Sequence, residues 1–301
     1  MTSLDVATLR ATHYNATLAV VQPLHDELRI VRVRPDSPVP AFEAGQWLML
    51  GLGSWEPGVP GALAEEPAAA PEPSVLRRPF SVSSPILTPD GSRLLRAGEE
   101  NAYEFYVTLP REGSASAFVV RLFALSPGAR LWTADAPQGR YGLDRIEPHH
   151  DVLFAATGTG EAPHNRMIWE LLRRSHRGRI AAVITTRCRA DQGYRGVHER
   201  LMQLFPNYRY AAIATREPDE KGARLQELLR SGRLEELAGF GLDPDRTHVF
   251  LCGNPAMVGA PRAQADGQLV YPQPPGMVEL LSRERGFMSD AHTGNIHFER
   301  Y

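Results

Sequence analysis

From Asp151 onward the sequence alternates between two periodicities, and nothing else in the chain constrains its fold as much. Strand-like runs fall at Asp151 to Ala156, Ile180 to Thr186, Tyr208 to Thr215 and His248 to Leu251. Helix-like segments start near Ala162, cover about 197 to 205 and 223 to 238, and finish with Met277 to Arg285. Short apolar strands separated by helices are what a parallel sheet covered on both faces requires. The predicted architecture of this half is therefore an α/β doubly wound parallel sheet, which binds ligands at the carboxyl ends of its strands.

The first half reads differently. Residues 14–22, 27–34, 45–53, 80–86, 103–109 and 129–135 are runs rich in β-branched and aromatic residues, broken by Pro, Gly and Asp. Six such strands with little helix predict a six-stranded antiparallel β-barrel. The clearest alternation sets Tyr103, Phe105 and Val107 against Glu104, Tyr106 and Thr108. Residues 54–76, with Pro57, Pro60, Pro67, Pro71 and Pro73, are expected to form a long mobile loop, too poor in apolar residues to join a core. The character changes near Pro148, so the expected domains are 1–148 and 149–301. Pro261, Pro272, Pro274 and Pro275 mark an expected inserted loop before the last helix.

Composition removes several classes of function. With 35 acidic and 33 basic residues the net charge is −2, which excludes a general nucleic-acid binder. No apolar run approaches the roughly 18 residues of a membrane span. Asp5 and Arg10 fall in the first ten residues without an apolar leader, so a cytoplasmic protein with no membrane partner is expected. Cys188 and Cys252 are too few for a disulfide framework or an iron–sulfur cluster, so any redox chemistry needs a bound organic cofactor. Lys221 is the sole lysine among the basic residues; codon usage and a need for planar forks that grip phosphate both account for the arginines.

Four motifs follow strand ends or strand starts. After the first parallel strand comes Thr157-Gly158-Thr159-Gly160-Glu161-Ala162-Pro163, a glycine turn into a helix whose proline suits the first turn. Such a turn offers amide groups and a helix N-terminus to a phosphate, although a tight turn alone explains the same residues. Arg187 and Thr215-Arg216 end the next two strands and Arg224 opens a helix, on the side where a nucleotide at the turn extends; solvated surface arginines are the bland alternative. Cys252-Gly253-Asn254-Pro255-Ala256-Met257 ends the fourth strand and places a thiol at the crevice, or simply in the core. In the first half, Arg77 to Pro85 combines charge, aromatic ring and hydroxyls on one extended run, suited to a pyrophosphate and a stacked ring. His149-His150 and His292 with His297 lack the helical spacing and the cysteine or carboxylate set of a metal site, so surface histidines and no metal are expected.

In this order, from Phe42-Glu43-Ala44-Gly45-Gln46 to Tyr301, the motifs resemble the ferredoxin/flavodoxin NADP reductase family, especially its bacterial branch, with a plant-type-like terminal tyrosine. The resemblance implies FAD on the barrel and NADP on the α/β domain. It makes Arg78 the FAD pyrophosphate ligand, Phe80 the ring beside the flavin where tyrosine is usual, and Ser81 the hydroxyl near flavin N5. Pro79, Val82, Ser83 and Ser84 continue along the flavin, and Gly113 with Ser116 resembles a second flavin-phosphate segment, Ala117 to Val120 reading as extra residues. Thr157, Gly158, Thr159, Gly160 and Pro163 form the NADP pyrophosphate turn, with Glu161 where an aliphatic residue is usual. By the same resemblance Thr215, Arg187, Arg216 and Arg224 are expected to hold the 2′-phosphate, Cys252 to lie by the nicotinamide and flavin, and Gly253 and Met257 to belong to the cofactor-binding set. Glu299 is similar to the carboxylate near hydride transfer, and Tyr301 to a ring that gates the flavin, so Ser81, Cys252, Glu299 and Tyr301 are the expected catalytic group.

The implied activity is hydride exchange between NADP(H) and FAD, with single electrons passed to ferredoxin or flavodoxin. A reductase serving an oxygenase or haem protein through an external carrier is the second reading. A flavin redox sensor without turnover is the third, against which the retained arginines and the CGNPxM motif argue.

Overall fold

Residues 3–13, unremarked in the sequence because most of their described side chains face solvent, form helix α1 (Ser3–His13). The structure, a computed structural model, describes residues 3–62, 64–65, 73–88, 93–96, 99, 101–110, 115–218, 224–264, 268–289 and 293–300, with side chains left aside at 3–4, 64–65, 263 and 300. Two compact units divide at Arg140/Tyr141.

In the first unit buried Ala16, Leu18, Val31 and Val33 alternate with more exposed neighbours, the period-two pattern that buries one face of a strand. They belong to β1 (Ala16–His25) and β2 (Leu28–Pro35), which are followed by β3 (Trp47–Gly53), β4 (Ala64–Glu65), β5 (Val75–Ser81), β6 (Tyr103–Thr108), β7 (Ala115–Ser116), helix α2 (Ala117–Leu122) and β8 (Arg130–Thr133). Six of these strands form one antiparallel sheet in the order β5-β3-β8-β1-β2-β6. Just past β5, the Ser83 amide donates to the Glu104 carbonyl of β6 at 2.8 Å, linking the two ends of that order and closing the predicted barrel. Strands β4 and β7 pair with each other in parallel.

Two sequence expectations change here. The fourth barrel strand was placed at 80–86 but runs over Val75–Ser81. Pro79 is tolerated because β5 stands at the end of the strand order, where a missing N–H breaks no ladder. Within 54–76, residues 54–62 are not a free loop: Trp55 and Val59 pack on the barrel core and Val75 and Leu76 belong to β5. Glu56 is 3% exposed and accepts Arg10 Nε at 2.8 Å, Arg10 Nη2 at 2.6 Å and the Tyr14 hydroxyl at 3.0 Å. Residues 63 and 66–72 of that expected loop lie outside the described residues. Ala117 to Val120, which read as extra residues, are buried in α2, capped by Ser116, whose hydroxyl accepts the Val119 amide.

The second unit is the predicted parallel sheet. Its elements are β9 (Asp151–Thr157), α3 (Glu161–Arg173), β10 (Ile180–Thr186), α4 (Arg195–Leu204), β11 (Tyr208–Ala214), α5 (Leu225–Arg230), α6 (Arg233–Ala238), β12 (Thr247–Gly253), α7 (Pro255–Val258), β13 (Arg262–Ala263), β14 (Leu269–Val270), α8 (Met277–Arg285) and β15 (Ile296–Arg300). The order β11-β10-β9-β12-β15 is parallel throughout. The chain winds outward from β9 through β10 and β11, then crosses to β12 on the other side, so the switch point lies between β9 and β12. The proline-rich stretch after α7 is not wholly irregular, since β13 and β14 pair antiparallel within it. No helix among the described residues is long and apolar enough to cross a membrane.

Candidate functional site

The carboxyl ends of β9 and β12 interlock at the switch point, and two glycines make that possible. Gly253 has φ +126°, and a Cβ there would run into Thr157 Oγ1. A Cβ on Gly160 would run into the Cys252 carbonyl. With both side chains absent, Thr157 Oγ1 accepts the Asn254 amide at 2.8 Å and locks the two strand ends together. Gly158 differs: its φ is +53° and nothing lies within 4 Å of the position a Cβ would take, so the space beside it is open to a ligand. A single 3₁₀ turn, Gly158–Gly160, leads into the thirteen-residue α3, whose N-terminus no side chain caps. Pro163, buried in the first turn of α3, costs no hydrogen bond there.

Backbone pairing continues along the carboxyl edge. The Thr215 amide and hydroxyl both donate to the Thr186 carbonyl, at 2.9 and 3.0 Å, and the Arg216 amide donates to the Arg187 carbonyl at 2.9 Å. Arg187 and Arg216 are thus brought together, both exposed, while exposed Arg224 immediately precedes α5. The Arg187 guanidinium lies 3.8 Å from Asp191. Those of Arg216 and Arg224 have no hydrogen-bond or ion-pair partner among the described residues. Like charges gathered at one edge with so little internal compensation favour an anion.

Glu161, whose carboxylate at a phosphate turn would repel the ligand, is 1% exposed and points inward. Its Oε1 accepts the Tyr210 hydroxyl at 2.9 Å and lies 3.3 Å from His198 Nε2, while Oε2 has no partner among the described residues. His198 Nε2 also meets Asn165 Oδ1 at 2.9 Å, and its Nδ1 meets the Tyr208 hydroxyl at 2.7 Å. Burial pushes the Tyr208 phenol well above its ordinary range. The ring of His198 stacks on Tyr210 at 4.3 Å. The signal in the sequence was the pair Tyr208 and Tyr210, which share one face of a strand by period two.

Cys252 is fully buried and pairs in the ladder with Ala156 on one side and Glu299 on the other, so thiol and carboxylate sit on adjacent strands. Met257 is buried in the apolar core of this unit. Tyr301 lies outside the described residues, as does His292. His297 corrects the expectation of a surface histidine. It is stacked on Phe250 at 4.3 Å, with Nε2 at 2.9 Å from His248 Nδ1 and Nδ1 at 3.1 Å from the Arg145 guanidinium. Burial first, then the Arg145 charge, pushes its pKa down to about 3; burial pushes His248 to about 4 and fully buried His164 to about 3. His164 Nε2 pairs with the Tyr141 hydroxyl at 2.8 Å.

In the first unit Arg78 lies opposite Leu50, Phe80 opposite Leu48 and Ser81 opposite Trp47. Arg78 and Phe80 share one face of β5 and are half-buried; Pro79 and Ser81 take the other. The Phe80 ring packs 5.3 Å from Phe118 and 6.2 Å, edge on, from Phe105. Ser81, Val82, Ser83 and Ser84 are all buried. The amides of Val82 and Ser83 are committed to the carbonyls of Gln46 and Glu104, at 2.9 and 2.8 Å. Ser84 Oγ is buried without a partner among the described residues, an orphaned polar atom of the kind a bound group satisfies. Gly113 lies outside the described residues, and the Ser116 hydroxyl caps α2.

Residues 154–262 match the family model described as an oxidoreductase NAD-binding domain. The chain is 31% identical over 273 residues to ferredoxin–NADP reductase B of Sorangium cellulosum, covering 88% of this chain and 96% of that protein. It is 29% identical over 179 residues to a flavodoxin/ferredoxin–NADP reductase of Escherichia coli, covering 56% of this chain and 71% of that protein. Among solved structures it resembles a ferredoxin NADP+ reductase from Neisseria gonorrhoeae with bound FAD and NADP, with TM-score 0.69, 19% identity and coverage of 95% and 97% of the two chains. At that identity the structural likeness speaks for the fold.

Proposed function

The chain belongs to the ferredoxin–NADP reductase family, and from that premise we propose that it is a flavoenzyme carrying FAD on residues 1–140 and binding NADP(H) on residues 141–301, with ferredoxin or flavodoxin as its electron partner. FAD, when bound, supplies the exchange of a hydride with NADP(H) for single electrons.

The chain's own residues divide the work of holding the two cofactors. Arg78 is suited to a pyrophosphate, Phe80 to packing beside the ring system, and the unpartnered Ser84 hydroxyl to a polar atom of the flavin. The amides of Val82 and Ser83 are committed to the barrel. Thr157 to Gly160 and the uncapped N-terminus of α3 are suited to the NADP pyrophosphate. Arg187, Arg216 and Arg224 are suited to the 2′-phosphate. Cys252 and Glu299, on adjacent strands, stand at the end of the sheet where the nicotinamide is expected, and Ser81 and Tyr301 complete the group we assign to hydride transfer.

The observation that carries the NADP assignment is the set of exposed guanidiniums at the carboxyl ends of β10 and β11 and before α5, two of them without partners among the described residues. Steady-state electron transfer from NADPH through the purified protein to added ferredoxin and flavodoxin tests the reading. Turnover with either carrier supports it, and a flavin-loaded protein that passes electrons to neither would refute the carrier assignment.

A further inference from the structure

The turn just before β9 gathers two imidazoles and a carboxylate that the linear spacing does not suggest. We propose that Glu147, His149 and His150 form a surface site for one borderline divalent cation of the zinc, nickel or copper type.

One ligand atom from each residue lies within 4.8 Å of the others. The Glu147 carboxylate and His149 Nδ1 are 3.5 Å apart. A helix brings ligands together at i, i+4; here a turn does the same over four residues, because the His150 amide donates to the Glu147 carbonyl at 3.1 Å. His150 is the fixed member. Its carbonyl meets His176 Nε2 at 2.7 Å, and its ring lies 4.5 Å from that of His248 and 4.6 Å from that of His149. Glu147 and His149 are exposed, with side-chain accessibilities of 67% and 59%, which leaves their side chains room to turn toward an ion.

The donor set selects the metal class. Two imidazoles with one carboxylate suit zinc, nickel or copper, whereas calcium and magnesium require oxygen donors. Three protein ligands leave the remaining positions to water, so the site is exchangeable and weaker than a closed four-ligand centre. In the metal-free turn His150 Nδ1 accepts the Glu147 amide at 3.1 Å, and the ion takes that lone pair in place of the amide. The nearby Arg246 charge opposes a cation, but its guanidinium lies 3.3 Å from Asp151, which offsets it. Asp151 and Thr157 are at opposite ends of β9, about 20 Å apart at 3.3 Å per residue, so the site is remote from the nucleotide turn and does not depend on its assignment.

Calorimetric titration of the purified, flavin-loaded protein with Zn²⁺, repeated with Co²⁺ under visible spectroscopy, tests the site. Wild type is expected to bind one equivalent saturably, and His149→Ala and Glu147→Gln to lose more than the roughly 10- to 100-fold in affinity that even an outer partner costs. A Co²⁺ ligand-field band is expected in wild type and not in His149→Ala. Thermal melts and NADPH turnover equal to wild type confirm that these exposed substitutions leave the fold intact. The absence of saturable binding to wild type overturns the proposal. So does equal binding by both variants, including binding lost only on Cys188→Ser, which would place the ion at the exposed thiol.

Discussion

Tyr210→Phe isolates the least expected feature of the nucleotide turn, the buried Glu161. The substitution keeps the ring that stacks on His198 at 4.3 Å and deletes only the hydroxyl that donates to Glu161 Oε1 at 2.9 Å. Because Oε2 already has no partner among the described residues, the carboxylate is left among them with the 3.3 Å contact to His198 Nε2, a group shared with Asn165. Leaving a buried acceptor unsatisfied costs about 1–3 kcal/mol. At about 2–4 °C per kcal/mol for a unit of 150–250 residues, the melting temperature is expected to fall by about 2–12 °C. Glu161 is also the first residue of α3, so loosening it blurs the aim of the turn; KM for NADPH is expected to rise while kcat holds, the signature of lost uniform binding. A melting temperature for Tyr210→Phe within a degree of wild type, with unchanged KM, would refute the argument that this hydrogen bond holds the turn.

Arg216→Ala combined with Arg224→Ala is expected to weaken NADPH by about 10- to 100-fold per residue, the worth of a hydrogen bond to a charged group, without affecting NADH; equal losses for both nucleotides would mean these side chains do not meet the 2′-phosphate. Arg187→Ala is expected to cost less, since Asp191 already competes for that guanidinium. Gly253→Ala must accommodate a Cβ at φ +126° against Thr157 Oγ1, so it is expected to lower the melting temperature and weaken NADPH binding, as a thermal melt with and without nucleotide would reveal. His164, His248 and His297 stay neutral in the fold to about 3, 4 and 3 but protonate near 6.5 once unfolded. The unfolded chain then binds more protons below pH 6.5, so stability is full above that value and falls as pH drops from 6.5 toward 4. Melts between pH 6.5 and 5, above the carboxylate range, should show this slope, lessened in His297→Phe; an unchanged slope in that variant would remove His297 from the account.

The parallel sheet was legible because its strands are continuous apolar runs: Ile180–Thr186 and the helix Met277–Arg285 fall where the sequence places them. The barrel was legible as a count of strands, less so in position. The strand placed at 80–86 starts instead at Val75, and the place of β5 at the end of the strand order makes Pro79 acceptable within it. Helix α1 left no trace since it buries little, and α2 was hidden by its β-branched Val119-Val120, which tertiary burial overrides. The nucleotide turn was visible as glycines, but the reason differs by position. Gly160 and Gly253 serve the approach of two strand ends, whereas Gly158 opens space for a ligand. The inward orientation of Glu161 was not legible, because its partners come from α4 and β11, far along the chain.

The most direct test is an anaerobic titration of the purified protein, followed by visible absorbance. The account predicts a yellow protein whose flavin bleaches with about one equivalent of NADPH, the stoichiometry of a hydride donor and a two-electron acceptor, and much less readily with NADH. A colourless protein, a flavin that NADPH does not bleach, or equal bleaching by NADH would contradict it.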